Sequence, residues 1–495
     1  MATNRRSLDR AAEYLNSWLA YRHPYANVTG YAVAISWRGE VVLNEAFGYA
    51  DLTGPVALTP AHIFRVASHS KTFTATALMQ LGEHGRLRLD DRVAAYIPWL
   101  NEHRDRRMGE ITLRQLLSHG AGVIRDGRDC DFWQLHRPFP DAGQLREEVL
   151  ASPLVTEPNL ALKYSNVGYS LLGMVIEEVS GLDYHTYVLE NIVGPLGLTS
   201  TGPEWEEPGP APAATGHTRR GADGRRRAVP VVSTRAMAAA TGFYSTAEDL
   251  CRYFTAHMTG SKQLLSDASK REMQRVHWHV HDPGSELFRD YGLGLDLERL
   301  DNGRTAFGHG GGFPGQITRS LADPASGLVV VVLTNCADGP AAEITRGIFK
   351  VLDFFEHHPP APRARWRGLE GRYANLWEVS DFVGAGANLV VTSPDTWEPF
   401  KKCEQLTPAP GGSGPATAWR ITDTSSFGSA QEQATFTLDG GSVAELRFGG
   451  MSMWPENRWP DVEKQLAPGA AQARRSRAGA LRSSSSTGIY RRPPG

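Results

Sequence analysis

The sequence predicts an α/β fold: an antiparallel sheet flanked by helices, with an all-helical subdomain inserted, followed by a small all-β domain. Three observations predict it. Strand-like runs stand near both ends of residues 1–358 with a long helix-rich stretch between them, so one sheet must gather distant parts of the chain. The last of these runs, Gly327-Leu-Val-Val-Val-Val-Leu333, is unbroken apolar, as in a strand covered on both faces. From residue 366 to 466 the texture changes to short alternating runs split by Gly, Pro and Ser, which reads as a sandwich or barrel.

Taken in order, Ser7 to Tyr21 places Leu8, Ala12, Leu15 and Leu19 near helical spacing and reads as an amphipathic helix. Tyr31 to Trp37 and Val41 to Phe47 read as strands, with Arg38-Gly39-Glu40 as the hairpin turn. The helix-rich stretch runs from about Ser68 to Leu198. Within it, the segment from Leu113 ends at a glycine stop, Gly120, and Gly168 to Gly181 is apolar around most of its circumference, as in a buried helix. A Pro/Ala/Gly/Arg-rich loop runs from Pro203 to Pro230. Ser245 and Glu248 have the spacing of a capping box and open another helix. Strands return at Tyr291–Leu297, Gln316–Leu321 and Gly327–Leu333, and Ile344 to Phe355 is a closing helix. His357 to Arg363 is a linker by composition. In the second domain, Asn388–Thr392, Ala418–Ile421, Gln433–Leu438 and Val443–Phe448 are the strand candidates. Residues 467–495 hold six arginines, four consecutive serines and no acid, and are expected to be a disordered basic tail.

Composition excludes several classes of function. Lys+Arg 52 against Asp+Glu 54 gives a net charge of -2, which leaves no chain-wide footprint for nucleic acid or a membrane surface. Cys130, Cys251, Cys336 and Cys403 lie far apart and form no CxxC pair, so they read as isolated buried thiols, neither a disulfide scaffold nor a zinc knuckle. No run of about 18 apolar residues occurs, and the first residues have no apolar signal core. The expectation is a cytoplasmic protein without a membrane partner. His277-Trp-His-Val-His281 alternates, so on a strand three imidazoles would share a face. Spacing supplies no acidic or thiol partner except Asp282, so the segment reads as a loop, and neither metal nor cofactor is expected.

The chemistry is carried by three short segments. Ser68 and Lys71 are three apart where a good helix pattern begins, and residues i and i+3 share a helix face. A serine at a first turn sits where free N–H groups favour developing negative charge. A lysine one turn deeper can reach its oxygen and activate it. The second segment, Tyr164-Ser165-Asn166, stands just before the buried glycine-broken helix. The third, His309-Gly310-Gly311-Gly312, stands just before a predicted strand, and its glycines let a substrate lie close against backbone.

Together these segments resemble the serine-reactive penicillin-binding-protein and class C β-lactamase superfamily, in its esterase and D-aminopeptidase branch. The family's S-x-x-K, Y-x-N and Lys- or His-containing strand motifs stand here as Ser68-His69-Ser70-Lys71, Tyr164-Ser165-Asn166 and His309-Gly310-Gly311. Thr112 to Gly122 and Thr241 to Leu250 are similar as well, and the likeness spans about Ala12 to Phe355. The resemblance implies that Ser68 forms an ester-linked acyl-enzyme and that Asn166 holds Lys71. The proton of Ser68 goes either to Tyr164, with Lys71 as a neighbouring cation, or to a neutral Lys71. It also implies an oxyanion hole from the N–H groups of Ser68 and Gly312. His309 stands in place of the lysine that many β-lactamases carry, and an imidazole attracts an anionic β-lactam less strongly.

Two enzymatic readings follow from the resemblance. One is a hydrolase of small esters or amides, including D-amino-acid peptides. The other is a stand-alone thioesterase of the penicillin-binding-protein type that cyclises a peptide delivered by a carrier protein. That group is similar in having a C-terminal lipocalin-like domain, whose arginine lies near the substrate. Arg447 is the candidate, with a solvated strand residue as the plain alternative. A third reading, a non-catalytic scaffold or receptor of the same fold, goes with loss of nucleophile or base, yet Ser68, Lys71 and Tyr164 are all present. Trp133 is read either as a lid over the cleft or as core.

Overall fold

Asn4 accepts from the Ser7 backbone N–H at 3.0 Å and opens a helix over Arg5–Ala26, whose apolar face buries Leu8, Leu15, Trp18 and Leu19. The computed structural model in which this helix is seen describes residues 4–205, 212–281, 288–359, 361, 366–409, 418–423 and 429–465. Its contacts divide the chain into two units, Met1–His357 and His358–Gly495. The expected basic tail from residue 467 lies outside the described residues.

The first unit is built on a nine-stranded sheet. Its strands are β1 (Gly30–Trp37), β2 (Glu40–Asp51), β3 (Val56–Ala57), β6 (Trp278–His281), β7 (Phe288–Tyr291), β8 (Asp296–Arg299), β9 (Thr305–Phe313), β10 (Gln316–Asp323) and β11 (Leu328–Thr334). A separate short pair joins β4 (Phe64–Arg65) to β5 (Tyr244–Ser245). The spatial order is 3-2-1-11-10-9-8-7-6, and the β1–β2, β1–β11, β10–β11 and β9–β10 pairs are antiparallel. Early and late strands therefore meet through β1 and β11, as the sequence predicts.

Strand β11 is buried at every residue. Val329, Val331 and Leu333 join the main core with Leu250 and Phe254 of the Ala247–Ala256 helix. Val330 and Val332 face the other side by the two-residue alternation of a strand. The helix Ser70–Glu83 runs through the middle of the unit with every residue from Ser70 to Leu81 buried. Phe73 stacks on Tyr253 at 3.9 Å and on Phe243 at 4.2 Å, which ties that helix to both neighbours.

Several local expectations are corrected. Tyr291–Leu297 is not one strand but the turn between β7 and β8, because Gly292 and Gly294 allow the chain to reverse. The Gly-rich third motif does stand before the predicted strand, β10, but it is itself strand and lies within β9. The cap of the Ala247–Ala256 helix is Thr246, which accepts from the Asp249 N–H at 3.2 Å, while Ser245 turns its hydroxyl to Thr201. The helix that starts at Leu113 ends at Leu117, and His119 rather than Gly120 takes the left-handed conformation, with φ 59°. The segment read as a loop is strand β6 from Trp278 onward, with His277 just outside it and the His279 ring exposed beside Asp290. Cys251 and Cys336 are buried, Cys403 is half-buried, and Cys130 is exposed.

The second unit is a closed eight-stranded antiparallel barrel. Its strands are β12 (Gly371–Ala374), β13 (Val379–Ala385), β14 (Asn388–Thr392), β15 (Cys403–Pro408), β16 (Trp419–Asp423), β17 (Gln433–Asp439), β18 (Ser442–Phe448) and β19 (Met451–Pro455), with β12 bonded to β19. Of the sandwich and barrel alternatives the barrel is the one formed. Its core holds Trp419, Phe382, Phe436, Leu389 and Leu446. Arg447 lies on β18 between Thr435 and Ser452, with its side chain exposed.

Candidate active site

The chain leading into the first motif is fixed before any reactive group appears. Arg65 is 3% exposed and pairs with Glu204 at 2.8 Å; its guanidinium also donates to the Gly242, Trp205 and Val232 carbonyls. A buried arginine with this many acceptors locks three loops together. Ala67 then adopts φ 49°, a left-handed conformation that a non-glycine residue enters only when its surroundings hold it there. A single tight turn, Ala67–His69, carries Ser68 and feeds the Ser70–Glu83 helix. Ser70 braces it, donating to the Ala67 carbonyl at 2.6 Å and accepting from the Phe243 N–H at 3.0 Å. Ser68 itself stays half-exposed, and Lys71 is fully buried one turn on.

Two predicted residues converge on the Ser68 hydroxyl, and a third holds one of them. Lys71 Nζ is 3.2 Å from Ser68 Oγ, and the Tyr164 hydroxyl donates to the same oxygen at 2.9 Å. Lys71 also meets Asn166 Oδ1 at 2.7 Å and the Ala240 carbonyl at 2.8 Å. Which way the Asn166 amide points follows from chemistry. Its Nδ2 lies 2.7 Å from Asp126 Oδ1, a carboxylate that can only accept, so Oδ1 must face the lysine.

The electrostatics separate the two candidate bases. Burial pushes the Lys71 ammonium down to about 7. Burial pushes the Tyr164 phenol up, opposed by its hydrogen bond to Ser68. A neutral lysine has two N–H donors and one lone pair. The two carbonyl oxygens take the donors, and the lone pair is left for the Ser68 proton.

The third motif approaches from β9. A Cβ on Gly311 would stand 2.2 Å from the Val66 carbonyl and 2.4 Å from Thr318 Oγ1, so only glycine lets the strand lie this close to the serine turn. Phe313 and Gln316 close a two-residue turn, so bonded and non-bonded pairs alternate from there, and Gly312 falls in a non-bonded pair with Ile317. Its N–H is therefore directed away from β10. Gly310, of the same parity, shows the direction by donating to Asp296 Oδ2 at 3.3 Å. Gly312 is exposed.

His309 is 3% exposed, with Nε2 3.2 Å from the Tyr291 hydroxyl and Nδ1 2.5 Å from the Gly310 carbonyl. Burial pushes it down to about 4, so it is neutral at physiological pH. It is a buried, uncharged support of the site and does not present a cation as a motif lysine does. Beneath β9, Arg319 holds Asp296 at 2.6 Å and Glu298 at 2.5 Å.

Residues outside the motifs complete the surroundings. Asp126 orients Asn166 and also accepts from Trp133 Nε1 at 2.9 Å, and its side chain is 9% exposed. It stands in Arg125-Asp-Gly-Arg-Asp129, a charged run that reads as plain surface, so the sequence carries no signal for it. Trp133 packs on Phe139 at 5.1 Å and on Phe313, the residue that follows the third motif, at 5.7 Å. It is half-buried and packs against this aromatic cluster, as the core reading expects. No cluster of metal-ligating side chains occurs among the described residues, and no helix among them is long and apolar enough to cross a membrane. Ser68, Lys71, Tyr164 and Asn166 come together in one hydrogen-bonded group, Gly311 and Gly312 lie on the strand beside it, and Arg447 belongs to the other unit.

This is the fold of the β-lactamase and penicillin-binding-protein class. The family model described as Beta-lactamase matches residues 20–353, and the chain belongs to that family. Among curated relatives, Protein flp of Staphylococcus aureus is 29% identical over 175 residues, 35% of each chain, so the match spans about a third of that relative. Penicillin-binding protein 4 of Amycolatopsis lactamdurans is 28% identical over 340 residues, 66% of this chain and 85% of its own. Among solved structures, the octameric penicillin-binding protein homologue from Pyrococcus abyssi aligns with TM-score 0.60 at 22% identity, covering 89% of this chain and 99% of its own. SurE aligns with TM-score 0.56 at 25% identity, covering 91% and 99%. A D-stereospecific amidohydrolase from Streptomyces sp. aligns with TM-score 0.54 at 26% identity, covering 68% and 95%.

Proposed function

We propose that the protein is a serine acyl-transfer enzyme that cleaves an amide or ester, with D-amino-acid amides or peptides as its substrate class, through an ester on Ser68. The observation that carries this reading is the meeting, at one half-exposed hydroxyl oxygen, of a phenol and an amine whose hold on its proton burial has weakened. Neutral Lys71 takes the Ser68 proton as Oγ bonds to the substrate carbonyl carbon. The carbonyl oxygen becomes an oxyanion facing the N–H groups of Ser68 and Gly312, each donor lowering the barrier by about 3 kcal/mol. The carbon–nitrogen or carbon–oxygen bond then breaks. Tyr164, kept protonated by burial, hands its proton to the leaving group and recovers one from Lys71. In deacylation water loses a proton to the same pair, attacks the ester carbon and returns Ser68 to its hydroxyl form. Of the two proton routes left open by the sequence, this one agrees with the directions of the Lys71 and Tyr164 shifts. The amidohydrolase likeness supports the substrate class.

A second reading keeps the acyl-enzyme and replaces water by an amine, which cyclises a peptide delivered by a carrier protein. It is favoured by the likeness to SurE, which extends over 91% of this chain and so beyond the catalytic unit. Partition of the acyl-enzyme between water and added amine separates the two.

The test of the reading itself is Ser68→Ala. We expect it to abolish turnover of a p-nitrophenyl ester with circular dichroism unchanged, and a labelled phosphonate to bond Ser68 in the unmodified protein. Retained turnover in Ser68→Ala, or phosphonate attached elsewhere, overturns the assignment. A protein that takes up no phosphonate is a scaffold of the same fold.

A further inference from the structure

Tyr164 is held by one residue that belongs to none of the three motifs. The N–H groups on either side of Tyr164 both donate to His119: Lys163 N to its carbonyl at 2.7 Å, and Ser165 N to its ring Nδ1 at 3.1 Å. The His119 ring also lies 4.2 Å from the Tyr164 ring, centre to centre, with Tyr169 at 5.0 Å and Tyr291 at 4.9 Å around it. The imidazole is 1% exposed. Because Nδ1 accepts from a backbone N–H, the neutral ring must carry its proton on Nε2. That atom is buried with no hydrogen-bond partner among the described residues. The backbone is strained too, at φ 59°, one residue before a glycine that could have taken the conformation freely. A strained backbone and an orphaned N–H are two local costs at one position.

We propose that His119 is the positioning residue of Tyr164: it grips the backbone on both sides of the phenol and packs against its ring, which keeps the hydroxyl on Ser68. This rests on the reading that Tyr164 serves acyl transfer, and the experiment separates the two.

His119→Gly and His119→Asn both tolerate a left-handed backbone, so strain is not the variable. Asparagine Oδ1 occupies the place of imidazole Nδ1 and can accept from Ser165; glycine cannot. Acylation of Ser68 by a chromogenic ester is timed per site titrated with phosphonate, so unfolded chains do not count. We expect His119→Gly to acylate about 100-fold more slowly at unchanged KM, since loss of reacting geometry has that scale, and His119→Asn to recover at least about a tenth of the rate. In a crystal structure of His119→Gly the Tyr164–Ser68 contact should open beyond hydrogen-bonding distance. An unchanged rate in His119→Gly, equal slowing in both variants, or an intact Tyr164–Ser68 contact in the glycine structure overturns the proposal. Should the glycine chain not fold, His119→Gln moves the acceptor one bond outward and serves in its place. If the unmodified protein fails to label at Ser68, the functional reading falls, and the crystallographic distance alone judges His119.

Discussion

In the proposed mechanism Lys71 sets the acidity at which the site can work. Its burial and its two carbonyl partners leave a lone pair for Ser68 only when the amine is neutral. Below about 7 the added proton removes that lone pair, so kcat/KM should fall about tenfold per pH unit on the acid side and level off above. A profile flat from pH 5 to 8 would show that some other group takes the proton. At this scale the sequence was informative where chemistry is local. Ser68 and Lys71 are readable because three residues along a helix bring side chains to one face. Tyr164 and Asn166 are readable only through the resemblance, since nothing in a Tyr-Ser-Asn triplet requires a partner nearly a hundred residues away. Asp126 was not readable at all. Its role is to fix the Asn166 amide, and a carboxylate in a charged loop looks the same whether solvated or turned inward.

Strand β9 is the element on which the site closes, and composition hid it. His309-Gly-Gly-Gly312 has little strand propensity, so the run reads as a loop before a strand, yet register with β10 makes it strand throughout. The reason is proximity: Gly311 passes where any side chain would collide with Val66 and Thr318. Gly311→Ala should therefore force β9 away from the serine turn. We expect a loss of about 1–3 kcal/mol in thermal unfolding together with slower phosphonate labelling of Ser68. A variant that matches the unmodified protein in both would mean the strand has room to give. Strand β11 shows the opposite case. Its unbroken apolar run was legible because burial on both faces leaves no polar position to interrupt it.

At the scale of the whole molecule, each unit has its own core, with the Ser70–Glu83 helix in one and Trp419 in the other. Trp419 is 2% exposed, and Trp419→Ala should lower the stability of the barrel by about 3–5 kcal/mol. Calorimetry should then show an early transition, with Ser68 still labelling at temperatures below it. Loss of labelling in step with barrel melting would show that the catalytic unit depends on the barrel. Half of the barrel was legible. Asn388–Thr392, Trp419–Asp423, Gln433–Asp439 and Ser442–Phe448 carry alternation, whereas Gly371–Ala374, Val379–Ala385, Cys403–Pro408 and Met451–Pro455 mix polar and apolar residues without a clean period. Closure of a sheet on itself is a long-range fact that no short window contains.

That closure has a consequence for how copies of this chain meet one another. With β12 bonded to β19, the described strands of the barrel close on themselves and leave no edge strand as a template for a neighbour. The catalytic sheet does have two ends, and one of them, β3, is only Val56–Ala57, too short to nucleate such growth. At the other end of that sheet stands β6, Trp278–His281, and a charge placed there is one place where engineering for solubility can start.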